Sequence, residues 1–148
     1  MNVIKAAEEL NQLHVDNSRL LAQLGNSLSA SGEAGVLLWL NSRAGKTFAI
    51  DIVEHFGLTP GRVANIIKML EKRAYIERNP VADDRRKASI MLTESGIKRA
   101  NELYEEMNSN HIRILEKLGE EDAGHLMRIL KRIVSFANYG LDTQSFDI

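Results

Sequence analysis

The chain has no cysteine among its 148 residues. That excludes disulfides, thiolate metal sites and cysteine-based peroxide sensing, and it suits a reducing cytoplasm. Also missing is any apolar run near the roughly 20 residues a helix needs to span a bilayer. The opening MNVIKAAEEL has neither the basic start nor the apolar centre of a secretion signal. No internal repeat and no low-complexity linker divides the chain. Together these absences lead us to expect a cytoplasmic protein with no membrane partner. What is present, 44% apolar and 26% charged residues, is ordinary for a single globular domain covering 1–148 with a real core.

Large net charge is lacking too, at −1 overall, but the charges are segregated. Between Thr59 and Ile90 stand eight Lys/Arg (62, 68, 72, 73, 78, 85, 86, 87) against four acids, a local +4 that leaves −5 for the remainder. A basic region on an otherwise acidic chain fits a polyanion, although a solvated face has the same composition.

Periodicity orders the elements. Residues 3–24 predict a helix with Ala6, Leu10, Leu13, Leu20, Leu21 and Leu24 near one stripe, stopped by Gly25 and Asn26. GVLLWLNSRAG (35–45) is apolar nearly all round and predicts a short buried helix. Thr47 can cap a third helix, FAIDIVEHF, which Gly57 stops. Thr59–Pro60 then starts a fourth, reaching about Ala74. The period changes from 3.6 to 2 at 75–78 and again at 88–92, two short strands joined by NPVADDRRK. Thr93 with Glu94 caps a long helix to about Leu118; Gly119 breaks it, and EEDAGHLMRILKRIVSFA restarts it with acids at the positive end of the helix dipole. Two short helices about a Gly-containing turn, followed by a hairpin, outline a winged helix-turn-helix.

The fourth helix is the element suited to DNA. At about 100° per residue, Val63, Ile66, Ile67 and Leu70 share the core side, while Gly61, Asn65, Lys68 and Lys72 oppose them with Arg62 and Met69 alongside. Most amphipathic helices are simply surface helices. A helix in the major groove, however, brings its N-terminal residues nearest the bases, where Arg62 and Asn65 can make two-point contacts and Gly61 lets the backbone come close. Lys68 and Lys72 would meet phosphates. On the hairpin, an arginine beside a narrow minor groove is drawn by its negative potential. Asp84 can hold the guanidinium of Arg86 by a directional hydrogen bond, leaving Arg85 for a phosphate.

At this point the chain resembles the MarR (multiple antibiotic resistance regulator) family of winged helix-turn-helix transcription factors. The likeness runs from FAIDIVEHFGLTPGRVANIIKMLEKRAYIERNP through the wing, D-R-R then a strand then L-T-E-S-G (Asp84–Gly96), and returns in LGEEDAGHLMRILKRI. It covers about residues 30–137. The resemblance implies a mostly α fold with a small β-hairpin wing: a winged helix-turn-helix lobe over 33–93, with dimerisation helices at 1–30 and 94–140. It further implies a homodimer on a palindromic duplex operator, with Thr59, Pro60, Gly61, Arg62 and Asn65 at the base- and backbone-contacting turn, Asp84 and Arg86 as the wing pair, and Arg78 as a basic position just after the first wing strand. Two departures stand out. Ala74 replaces the family's usual glycine between helix and first strand, and Gly61 and Arg62 replace small hydroxyl residues.

Other motifs carry less. AGKT (44–47) lacks the Gly that a phosphate loop needs at position 40, where Leu stands. The four histidines, His14, His55, His111 and His125, are scattered, with no pair at i, i+3 or i+4; the resemblance, through the family's metal-sensing members, singles out His111 with Glu105 or Glu106 as a metal-responsive alternative, and no metal or cofactor is expected. No Ser, His, Asp or paired-carboxylate constellation supports catalysis, so an enzyme is not expected. Trp39, Phe48, Phe56, Tyr104 and Met107 are the residues that could line a small-molecule pocket between the DNA-binding lobe and the dimer helices, where the resemblance implies a small aromatic effector, although each is more often plain core. The leading expectation is a dimeric DNA-binding regulator, a repressor released by an effector. The alternative is a winged-helix protein-interaction module without specific DNA binding.

Overall fold

A computed structural model describes residues 2–17, 19, 32–81 and 84–138, without the side chains at 84–87, 137 and 138. Its elements are α1 (Val3–Asp16), α2 (Gly32–Ser42), α3 (Ala49–Phe56), α4 (Pro60–Lys72), β1 (Ile76–Val81), β2 (Asp84–Leu92) and α5 (Glu94–Asn138). The chain divides into two compact units, Met1–Asn108 and Ser109–Ile148. The mostly helical class with one antiparallel hairpin agrees with the sequence expectation.

The core of the first unit joins α2 (Val36, Leu37, Leu40), α3 (Ile52) and α4 (Val63, Ile66, Ile67, Leu70) to Ile76, Ile90 and Ala100. Each α4 core side chain is at most 7% exposed. Burial on that scale contributes roughly 1.5–3 kcal/mol per residue, which fixes the rotation of α4 about its axis. The expected inward stripe of this helix is therefore the real one.

Several boundaries differ from expectation. Helix α1 starts under Asn2, whose Oδ1 accepts from the Ile4 and Lys5 amides, and it ends at Asn17 rather than near Gly25. Residues 20–31, where the rest of that expected helix fell, lie outside the described residues. Helix α2 spans Gly32–Ser42 instead of 35–45. Thr47 does not cap α3. It is buried, and its carbonyl accepts from the Ile90 amide at 2.7 Å, so it adds a single bridge to the hairpin. The start of α3 is secured instead by Asp51, whose Oδ2 accepts from the Phe48 amide at 2.7 Å. Gly57 ends α3 in the left-handed region (φ 60°), as its position suggested.

The hairpin strands are longer than the sequence implied. Asn79, Pro80 and Val81 continue β1, and Asp84–Lys87 belong to β2 rather than to a loop. Pro80 was misleading because proline interrupts central strands but is tolerated in an edge strand, and both strands of a two-stranded sheet are edges. The register steps there: Pro80 faces Ala88, whereas Val81 faces Asp84, which leaves Arg85, Arg86 and Lys87 outside the regular ladder. Such bulges bend a strand and redirect it. In α5, Gly119 is non-helical (φ 76°, ψ 167°), the expected break.

Candidate nucleic-acid interface

Helix α4 is presented by the turn between Gly57 and Thr59. Thr59 caps it, its Oγ1 accepting from the Arg62 amide at 3.3 Å, and Pro60 occupies the first turn where no N–H is required. Past this cap, Gly61, Arg62, Asn65, Lys68, Met69 and Lys72 are all exposed. Among the described residues no ion pair engages Arg62, Lys68 or Lys72. A Cβ built on Gly61 would meet nothing within 4 Å, so nothing in the fold itself requires glycine there.

Charges nearer the end of α4 are held by acids. Arg73 Nη1 stands 2.8 Å from Glu33 Oε2 at the start of α2. That oxygen is occluded yet makes no hydrogen bond, so the contact is ionic without a good donor direction. Arg78, placed mid-strand in β1 rather than just past it, lies 3.4 Å from Glu71 through its Nε. Both pairs are exposed enough to contribute little stability. Asp84, Arg85 and Arg86 have their backbone in β2, but the expected Asp84–Arg86 pairing lies outside the described residues.

The end of α4 holds the feature the sequence reading did not anticipate. The Tyr75 amide donates to the Leu70 carbonyl (3.0 Å) and the Ala74 amide to the Glu71 carbonyl (2.9 Å), the paired bonds of a Schellman cap. Such a cap needs a left-handed residue, and Ala74 supplies it at φ 57°. The glycine-to-alanine departure therefore leaves the helix-ending geometry intact, at a strain cost. From the L-T-E-S-G segment, the Thr93 and Ser95 hydroxyls reach the Ala74 carbonyl at 2.6 and 2.7 Å. The Thr93 amide donates to the Tyr75 carbonyl at 3.0 Å. Thr93 Oγ1 also accepts from the Gly96 amide, capping α5. A Cβ on Gly96 would lie 1.9 Å from the Tyr75 oxygen, which explains the glycine.

A cleft of about 550 Å³ opens between α2, α3 and the first turns of α5, lined by Trp39, His55, Phe56, Asn101, Tyr104 and Met107 among others. Phe48 is not part of it. Trp39 stacks on His55 (centroids 4.6 Å, planes 20° apart), and the Arg43 guanidinium sits 4.8 Å from the Trp39 ring centroid. Elsewhere on α5, Arg99 is hydrogen-bonded to Glu102 and Glu106, both at 3.1 Å, which raise its pKa above the ordinary arginine value. Among the described residues no three His, Cys, Asp or Glu stand together as a metal site, and no helix is long and apolar enough to cross a membrane.

Residues 26–87 match the sequence model of the MarR family. The HTH-type transcriptional regulator PecS of Dickeya dadantii is 31% identical over 94 residues, 62% of this chain and 57% of PecS. The curated relatives are named as transcriptional regulators, not enzymes, and the chain spans about half their length. Among solved structures, a MarR transcriptional regulator from Methanosarcina mazei superposes with a TM-score of 0.65 at 16% identity, over 90% of this chain and 96% of that one. MepR of S. aureus, solved as a DNA complex, gives 0.60 at 22% identity, over 91% and 97%. The lobe at 26–87 thus carries the sequence pattern of the MarR family, and the chain has the winged helix-turn-helix fold of MarR regulators.

Proposed function

We propose that the protein is a dimeric, sequence-specific DNA-binding transcriptional regulator of the cytoplasm, acting as a repressor that a small aromatic effector releases. The observation that carries this reading is the outer face of α4. Gly61, Arg62, Asn65, Lys68 and Lys72 stand exposed, with no ion pair to the cations among the described residues and no internal demand for the glycine. In this reading Thr59 and Pro60 set the turn, Arg62 and Asn65 address base edges, and Lys68 and Lys72 address phosphates. The wing carries Asp84, Arg85 and Arg86 toward the adjacent minor groove, with Arg78 at its base.

A second copy is supported by apolar surface that one chain leaves uncovered. Helix α1 buries none of its residues and exposes Val3, Ile4, Leu10, Leu13 and Val15. In the second unit Ile129, Leu130, Ile133, Val134 and Phe136 are each more than 40% exposed. Apolar patches of this kind in soluble proteins mark association surfaces. A two-fold dimer would in turn favour a palindromic site. The aromatic cleft supports an effector: a mostly apolar hollow with a few polar groups is the usual form of a small-molecule site.

The test is a gel-shift titration on sequences selected by the protein from a random duplex pool. Affinity should fall steeply with added salt, because phosphate contacts release counterions. Asn65→Ala should relax base preference by about 1–3 kcal/mol if it makes a two-point contact, and Arg86→Ala should weaken the positions read by the wing. Retention of full affinity and preference in both variants would refute the assignment. A winged-helix protein-interaction module would show no salt-dependent retention on random duplex DNA.

A further inference from the structure

We propose that Thr93 and Ser95 are positioning residues for DNA reading: their hydroxyls hold the Ala74 carbonyl and so fix the angle between α4 and the β1–β2 wing. The inference rests on the DNA-binding reading above and goes beyond it, since neither side chain is expected to touch DNA.

The peptide joining Ala74 to Tyr75 is where the chain leaves the reading helix and enters the wing. Local preference does not hold it there, because an alanine at φ 57° is strained and would relax if released. What secures it comes from the other end of the hairpin. Thr93 follows the last residue of β2, and its amide donates to the Tyr75 carbonyl, continuing the register in which Ile76 faces Leu92. The Thr93 and Ser95 hydroxyls then take both lone pairs of the Ala74 carbonyl. The two oxygens stand 3.0 Å apart, so either can relay to the other if one bond opens. Gly96, without a Cβ, lets the first turn of α5 close over the Tyr75 carbonyl. Consecutive carbonyls are thus gripped by one four-residue segment, and the base of the wing cannot swing without breaking that grip. A helix and a wing that must meet successive grooves together need this angle held, because a small error at the base is amplified at the tip.

The test uses the full chain. Lacking native cysteine, the protein accepts a pair of spin labels through Ala64→Cys on α4 and Val81→Cys on the wing, the labelled chain being diluted into excess unlabelled protein so that only the distance within one chain is read. The expected result is one narrow distance distribution that widens in Ser95→Ala, widens further with Thr93→Val added, and narrows again in Ser95→Thr. On DNA, Ser95→Ala should lower the affinity ratio of selected to random duplex by about fivefold, the scale of one lost hydrogen bond, with random-duplex affinity unchanged. A merely destabilised protein would lose both affinities alike. An unchanged label distribution in Ser95→Ala overturns the proposal, whether or not the double variant folds. So does an unchanged affinity ratio when the wild type selects a sequence. If the distribution widens but the wild type selects no sequence at all, the DNA-binding reading fails and takes the DNA role of this clamp with it, while the mechanical clamp itself stands.

Discussion

Replacing Ala74 with glycine should stabilise this protein, contrary to the usual result of putting glycine beside a helix. Ala74 sits at φ 57°, where the Cβ of an L-residue crowds the following carbonyl. Single residues in that region cost about 1–2 kcal/mol unless they are glycine. Against this, glycine enlarges the conformational freedom of the unfolded chain, a loss of about 0.4–1 kcal/mol. The bonds at this corner are all made by the Ala74 backbone or its neighbours, so the substitution removes none of them. Nor does it empty a core position, since the residue is exposed. The balance is a gain of roughly 0.5–1 kcal/mol, or a few degrees in Tm for a chain of this size. Urea denaturation at matched protein concentration is the appropriate assay, because an associating protein's stability depends on concentration. The midpoint should rise with an unchanged slope. A midpoint that stays or falls would mean that Ala74 is not strained in solution, and the cap would have to be described differently.

Gly96→Ala should be among the most destabilising single changes, roughly 3 kcal/mol or more, since its Cβ would lie 1.9 Å from a backbone oxygen that the clamp holds in place; a melting curve like the wild type's would contradict this. Gly61→Ala should act with opposite signs on two readouts, raising fold stability by up to about 1 kcal/mol while weakening duplex binding, because its methyl meets no atom of the protein but would have no room against a closely approaching duplex. Unchanged affinity in a gel shift would remove Gly61 from the interface. Ile133→Glu, on the exposed apolar face of the second unit, should leave only monomers in sedimentation analysis if the proposed dimer forms through that face, and a dimer that survives would place the association surface elsewhere.

How legible these features were in the sequence depended on whether their cause was local. The inward stripe Val63, Ile66, Ile67 and Leu70 was readable because a 3.6-residue period needs no knowledge of the partner, and the stops at Gly57 and Gly119 were readable because left-handed turns select glycine. Thr47 was misread because a threonine before a helix satisfies the capping rule, while its actual bond is to Ile90, forty-three residues away. The hairpin was cut short because Asn-Pro reads as a turn until one knows that the strand is an edge. Among the aromatic candidates, Trp39, Phe56, Tyr104 and Met107 converge on one cleft and Phe48 does not, a distinction only packing could make. The hydroxyl clamp on Ala74 leaves a trace in the L-T-E-S-G segment, but its purpose is visible only with the carbonyl it grips.

The placement of charge along α4 shows why a protein of net charge −1 can still present a polyanion site. At the C-terminal end, where the helix dipole is negative and Glu71 adds to it, Arg73 and Arg78 are drawn into pairs with Glu33 and Glu71. At the N-terminal end, where the dipole is positive, Arg62 has no ion-pair partner among the described residues, and no acid occupies the first turn. An acid there would have stabilised the helix by some 0.3–1 kcal/mol. Leaving it out keeps the unpaired amides and Arg62 acting in the same direction at the end a major groove would receive. At physiological salt, charges farther off than about 8 Å add little to this field. Local arrangement, not net charge, therefore decides whether this surface attracts a duplex.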